Sequence, residues 1–197
     1  MILIRHGQSH FNVVFNETRV DPGIVDPGLT DEGQRQAGAA AQALADHDVR
    51  RILASPYSRT LHTAEIIAER LSLSVVIEPL IRERCFFTCD LGSPRSELST
   101  RWPGFEFGDL PERWWPETEE TEEELNVRCD AFRSAMATAE DWRHVAVVSH
   151  WGFIRGLTGQ AVHEALEVLP LHQGGALVAG CPPLNGVHAQ TRAGDHL

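Results

Sequence analysis

The residues of this chain best suited to chemistry begin at Arg5-His6-Gly7-Gln8-Ser9, directly after the apolar run Ile2-Leu3-Ile4. An imidazole is a nucleophile and proton carrier near neutral pH, and a guanidinium is a permanently charged, planar donor that fits phosphate or carboxylate. Side by side they suit an anionic substrate that must be both held and attacked. A related pattern recurs far along the chain, where Val145-Ala146-Val147-Val148-Ser149 runs into His150-Trp151-Gly152. Two strands that each end in histidine would set two imidazoles face to face. Another apolar run, Arg51–Ala54, leads into Ser55-Pro56-Tyr57-Ser58-Arg59-Thr60, with Arg59 in the first turn of a helix. A third leads into Pro79-Leu80-Ile81-Arg82-Glu83-Arg84, a carboxylate flanked by two cations. Any one of these groups alone would be an ordinary surface or ion-paired residue; their common position after apolar runs is what points to a site.

Such residues need a frame that brings strand ends together. Met1–Ile4, Arg51–Ala54, Ser74–Glu78 and Val145–Ser149 have the composition of strands. Between them, Asp31–Asp46 carries Ala37, Ala41 and Leu44 on one helical face, and Ser58–Leu71 carries Leu61, Ala64, Ile67, Ala68 and Leu71. Thr121-Glu122-Glu123-Glu124 has the form of a capping box, followed by Leu125, Cys129, Phe132 and Met136 at helical spacing to about Trp142. This alternation predicts an α/β fold: three layers, a mainly parallel (mixed) sheet with helices on both faces. Ala176–Gly180 and Gly186–Thr191 are weaker strand candidates. Ligands of open α/β sheets bind outside the carboxyl ends of the strands, where Arg5, His6 and His150 would lie. If its strand is beside the first, Arg59 would face the same anion.

The stretch from Phe86 to Pro116 breaks the rhythm with four prolines and the rings of Phe86, Phe87, Trp102, Phe105, Phe107, Trp114 and Trp115. Only Pro94–Arg101 has the makings of a regular element. An insertion over about 85–118 is expected, acting as a lid over the site, as an aromatic mini-core that pins the segment, or as both. The acidic run Glu117–Glu124 has the character of a solvated helix start.

Composition narrows the functional classes. With 197 residues the chain is expected to form a single domain, 1–197, carrying that insertion. A net charge of -11 argues against nucleic acid or an anionic membrane as partner. No apolar stretch approaches the ~20 residues of a membrane span, and Arg5 and His6 interrupt the N-terminal apolar run as no signal peptide would, so a cytoplasmic location is expected. Cys85, Cys89, Cys129 and Cys181 lack C-x-x-C spacing and are expected to be reduced thiols.

Taken in order, Arg5-His6-Gly7-Gln8-Ser9, Asn12, Leu29-Thr30-Asp31-Glu32-Gly33, Ser55 to Thr60, Arg82-Glu83 and Ser149-His150-Trp151-Gly152 resemble the histidine phosphatase superfamily. That superfamily includes cofactor-dependent phosphoglycerate mutase, fructose-2,6-bisphosphatase and many small-molecule phosphatases. The resemblance implies a phosphoglycerate mutase-like fold and a phosphohistidine intermediate on His6. It also implies that Arg5, Arg59 and His150 bind phosphate oxygens, that Glu83 is the proton donor, and that Asn12 and the backbone at Trp151 add hydrogen bonds.

That division of labour is chemically coherent. His6 must be neutral to attack, with its other ring nitrogen fixed near Gly7. A protonated His150 would stabilise transition-state charge, and Glu83 needs a raised pKa, which enclosure among the aromatic residues of 86–116 would supply. With no Walker lysine loop and no carboxylate cluster for magnesium, neither metal nor cofactor is expected. The expected partner is a small phosphorylated substrate, and a homodimer is compatible with the resemblance. Mutases of the family are usually longer, with paired substrate arginines after the proton donor and a mobile tail. Here the corresponding stretch has only scattered Arg95, Arg101 and Arg113, so a phosphomonoester hydrolase is the favoured expectation. A non-catalytic phospho-ligand binder on the same fold is the remaining alternative, disfavoured because His6, Arg5, Arg59, His150 and Glu83 are all present.

Overall fold

The computed structural model describes residues 1–160, 168–172 and 175–176. Its central strand is β4 (Val145–Ser149), buried along its whole length. A strand covered on both faces has no side to present to water, hence its unbroken apolar sequence. β1 (Ile2–Arg5) runs parallel beside it, with Ile4 opposite Val148 and Arg5 opposite Ser149. β2 (Arg51–Ala54) lies parallel along the other edge of β4, and β3 (Ser74–Ile77) extends the sheet beyond β2. β5 (Val168–His172) pairs antiparallel with β1, and β6 (Gly175–Ala176) with β5, giving the order β3-β2-β4-β1-β5-β6.

Helices cover both faces, as the alternation of elements predicts. Ile2, Ile4, Ile52, Ala146 and Val148 pack under α2 (Asp31–Leu44) and α3 (Ser58–Leu71), through Ala40, Ala41, Leu44, Leu61, Ala64 and Ile67. Leu3, Leu53, Val145 and Val147 pack on the other face, with residues of two later helices described below. Each fully buried Leu or Ile contributes on the order of 1.5–3 kcal/mol, so the sheet and its two coats stabilise one another.

The structure departs from the sequence expectations at several places. α1 (His10–Thr18) was not anticipated: of its residues only Phe11 is buried, so no apolar face announces it. Its start is marked instead by a capping box in which Ser9 and Asn12 bond reciprocally. β5 was hidden by Pro170 within its apolar run, a residue that argues against a strand in sequence. β2 is not beside β1; β4 lies between them. The strand expected at Ala176–Gly180 is represented by β6, which includes Ala176, while its remainder and Gly186–Thr191 lie outside the described residues.

The insertion contains α4 (Arg95–Arg101), and its rings turn inward: Trp102, Phe107 and Trp114 join Leu98, Leu110 and Tyr57 in the core under α3. Trp114 lies so close to Gly92 that an added Cβ there would sit 2.3 Å from its ring. These rings pin the segment by joining the main core rather than by forming a separate mini-core, while Phe86 stays exposed. α5 (Glu122–Thr138) begins with the expected capping box at Thr121 and ends four residues before Trp142. It lies with α6 (Trp151–Thr158) on the Leu3 face of the sheet, through Leu125, Cys129, Phe132, Phe153, Ile154 and Leu157. Glu120, expected in a solvated run, is only 5% exposed. Cys85, Cys89 and Cys129 are buried free thiols; Cys181 lies outside the described residues. Among the described residues no helix is long and apolar enough to cross a membrane.

Candidate active site

The ladder of parallel hydrogen bonds continues one residue past each central strand. The His6 amide donates to Ser149 O at 3.0 Å, and the Ser55 amide donates to Val148 O at 3.1 Å. His6, His150 and Ser55 therefore leave the sheet in a row, with His150 in the middle. The His6 and His150 ring centroids are 5.2 Å apart with planes at 62°, so the two imidazoles meet edge to face rather than face to face. Tyr57 closes the other side of His150, its ring perpendicular at 5.1 Å.

The proton on His6 is placed by its neighbour. Nδ1 lies 2.7 Å from the carbonyl oxygen of Gly7, which can only accept, so Nδ1 carries the hydrogen and Nε2 of the neutral ring is left with its lone pair. Burial, then the charges of Arg59 and Arg5, push the His6 pKa well below 6.5 and keep the ring neutral. The loop that fixes this geometry has no room for a side chain: a Cβ on Gly7 would sit 2.3 Å from Gly33 O, and one on Gly33 would sit 2.1 Å from Gln8 O. The Gly7 amide donates to Thr63 Oγ1 on α3, and the Thr30 amide at the start of α2 donates to Gln8 O.

His150 is fully buried, with Nε2 at 2.8 Å from Ser55 Oγ, while its Nδ1 finds no hydrogen-bond partner among the described residues. Burial first, then Arg59, hold it well below 6.5. The ring is therefore neutral in the free protein, whereas the protonated His150 of the sequence expectation concerns the transition state.

Arg59 sits in the first turn of α3, 3% exposed, its guanidinium 4.5 Å from the centre of the Tyr57 ring. It donates to Cys89 O at 2.7 Å and to Asp90 Oδ1 at 3.1 Å. Its charge is felt by both histidines. Arg5, at the end of β1, is half-buried and close enough to act on both as well.

Glu83, flanked in sequence by Arg82 and Arg84, makes no ion pair with either side chain among the described residues. Its carboxylate accepts instead from the amides of Arg84 at 2.8 Å, Gly152 at 3.1 Å and Phe153 at 3.1 Å, and so sits on the N-terminus of α6. The seat depends on Gly152, where a Cβ would lie 2.4 Å from Glu83 Oε1. Burial raises the Glu83 pKa, with the nearby charge of Asp90 adding to it against the opposing amides and Arg59. Enclosure raises it as expected, although the aromatic rings named in the sequence reading largely pack elsewhere.

The flanking cations have other work. Arg82 donates to Glu120 at 2.9 Å, Arg84 pairs with Glu122, and Arg128 grips Glu120 through two nitrogens while donating to the carbonyls of Leu80 and Arg82. This buried network holds the segment that carries Glu83, and Ser149 Oγ adds a bond to Ile81 O.

Asn12 commits its Oδ1 to Ser9 in the helix cap, which leaves its amide nitrogen as the group that can meet a ligand. Trp151 opens α6 and is 36% exposed. The next two amides of that helix are taken by Glu83. Among the described residues no cluster of three or more His, Cys, Asp and Glu side chains is assembled for a metal. Sequence reasoning missed Asp90, Tyr57, Ser55, Thr63 and Glu120. Ser55 and Tyr57 fell within a motif and Glu120 within the acidic run, but nothing in the spacing of the five marks the part each takes here.

Known proteins resemble this chain in sequence and in fold. The family model of the histidine phosphatase superfamily, branch 1, matches residues 1–176. The glucosyl-3-phosphoglycerate phosphatase of Mycolicibacterium vanbaalenii is 30% identical over 179 residues, covering 87% of this chain and 77% of that protein. Relatives bearing the name probable phosphoglycerate mutase, such as that of Yersinia enterocolitica, are 39% identical over 83 residues; the match spans 42% of this chain and only 37% of theirs. Among solved structures, mycobacterial glucosyl-3-phosphoglycerate phosphatase has a TM-score of 0.62 at 21% identity, covering 92% of this chain and 97% of that one. The alpha-ribazole phosphatase of Shigella flexneri gives 0.61 at 22% identity, with 90% and 93% covered.

Proposed function

The chain belongs to the histidine phosphatase superfamily, and from that membership we propose that it is a metal-independent phosphomonoesterase working through a phosphohistidine on His6. His6 Nε2 attacks phosphorus as the ester oxygen departs in line, and that oxygen takes the proton of Glu83. A water molecule then gives its proton to the Glu83 carboxylate and attacks the phosphohistidine, releasing inorganic phosphate and restoring His6. Phosphoryl transfer depends chiefly on alignment and on compensation of charge on the equatorial oxygens. Arg5 and Arg59 supply that charge. With Ser55 Oγ donating to Nε2, a neutral His150 carries its proton on the otherwise unpartnered Nδ1 and offers it to a phosphoryl oxygen. Asn12 Nδ2 and the backbone at Trp151 are the further donors.

The observation that carries this reading is the bond from His6 Nδ1 to Gly7 O, which leaves Nε2 its lone pair beside a second histidine and a buried arginine. The direct test is hydrolysis of p-nitrophenyl phosphate in the presence of EDTA. Activity is expected to survive the chelator and to vanish in His6→Ala, and a rapid alkaline denaturing quench should trap a phosphoryl label on the wild-type chain alone, stable in alkali and lost on acidification. Strict dependence on added magnesium would overturn the scheme. The relatives named as mutases make a second assay necessary: 3-phosphoglycerate with catalytic 2,3-bisphosphoglycerate. Fast formation of 2-phosphoglycerate would replace hydrolysis by group transfer back to substrate.

A further inference from the structure

The most heavily bonded carboxylate beside the site belongs to Asp90. It is 2% exposed and every polar atom of its carboxylate is engaged: Oδ1 accepts from Arg59 Nη2 and from the Cys89 thiol, and Oδ2 accepts from the amides of Phe86 and Phe87. The hydroxyl of Tyr57 donates to Asp90 O at 2.6 Å, while the Tyr57 ring lies under the Arg59 guanidinium. Arg59, Tyr57 and Asp90 thus close a triangle in which the guanidinium is fixed on its face by a ring and on its edge by Asp90 and Cys89 O. A guanidinium has five N–H groups. Two are used here, leaving Nε–H and one hydrogen on each terminal nitrogen.

We propose that Asp90 is a positioning residue, holding the Arg59 plane at the angle from which its remaining N–H groups meet the phosphoryl oxygens. This rests on the reading of Arg59 as a phosphate ligand given above. A carboxylate is a poor neighbour for an anion site by charge alone, since it repels phosphate. Its presence against the arginine is explained if orientation outweighs that repulsion. An arginine without its orienting partner keeps its charge but spreads it over several rotamers, and bidentate geometry is lost.

The two effects have opposite signs, which makes the proposal testable on orthovanadate binding as well as on turnover. If Asp90 orients Arg59, Asp90→Asn weakens vanadate affinity and kcat/KM by about tenfold to a hundredfold, the range for a charged hydrogen bond. In an Arg59→Lys background, where the cation has no plane to orient, the same change costs nothing or tightens binding slightly. Tighter binding in both backgrounds would mean that Asp90 only compensates charge, and equal losses in both would mean that it only shapes the 86–90 segment; either result overturns the proposal. Asp90→Ala is run in parallel, because asparagine must give up either Arg59 or the two amides. If neither variant melts cooperatively, Asp90 is a framework residue and the proposal falls. A wild-type chain that binds vanadate yet hydrolyses no phosphomonoester would remove the catalytic reading while leaving this test intact.

Discussion

His6 and Glu83 are both moved away from their ordinary pKa values, in opposite senses, by the same cause. Burial favours the neutral form of each: the imidazole loses its proton more readily and the carboxyl keeps its proton longer. Attack needs the neutral imidazole and departure of an alcohol needs the protonated carboxyl, so the enclosure prepares nucleophile and acid together. For the free enzyme, the acid limb of kcat/KM is expected below 6.5, where His6 protonates, and the alkaline limb above 4.5, where Glu83 ionises. Glu83→Gln should abolish the alkaline limb. It should slow alkyl phosphates by about 10²–10⁴-fold, the usual range for a lost general acid, and slow p-nitrophenyl phosphate far less, since nitrophenolate leaves without a proton. Equal losses on the two substrates would assign Glu83 a purely structural role.

The proton donor is set by elements more than by its own sequence neighbours. Glu83 rests on two backbone amides of α6, an arrangement that Gly152 permits by lacking a Cβ. Gly152→Ala is expected to push the carboxylate off the helix end, with a kcat deficit on alkyl phosphates resembling that of Glu83→Gln and little change in vanadate affinity. Behind Glu83, Glu120 joins α5 to the 80–85 segment through Arg128 and Arg82. Removing one partner of a buried pair leaves the other charge stranded, at a cost of about 3–5 kcal/mol. Glu120→Ala should accordingly lower the melting temperature strongly, whereas Glu123→Ala, an exposed neighbour in the same acidic run, should leave it nearly unchanged. Comparable melting curves for the two variants would show that the network contributes little.

At the scale of the molecule, placing two neutral histidines beneath two arginines has a pH signature. Their pKa values are lowered on folding, so below 6.5 the unfolded chain binds protons that the native state refuses, and stability falls as pH falls through that value. The melting temperature of the wild type should therefore drop on the acid side of 6.5, and His150→Gln should flatten the drop; identical slopes in the two proteins would count against buried neutral rings. Much of this architecture was legible in the chain itself. Fully buried parallel strands must be apolar throughout, and so β1, β2 and β4 stand out, each ending at the residues that make the site. α2, α3 and α5 declare themselves through a period of 3.6, and α5 through its cap as well. α1 and β5 did not, because one buries too narrow a face and the other contains a proline. What only the tertiary structure decided is how distant residues meet: that β4 separates β1 from β2, that Glu83 sits on the end of α6 rather than between its flanking arginines, and that Asp90 and Glu120 are buried partners of arginines instead of solvated acids. Local periodicity records which face of an element avoids water. It carries no record of long-range pairing between charges, which is chosen only when packing removes the water that would otherwise have solvated each of them.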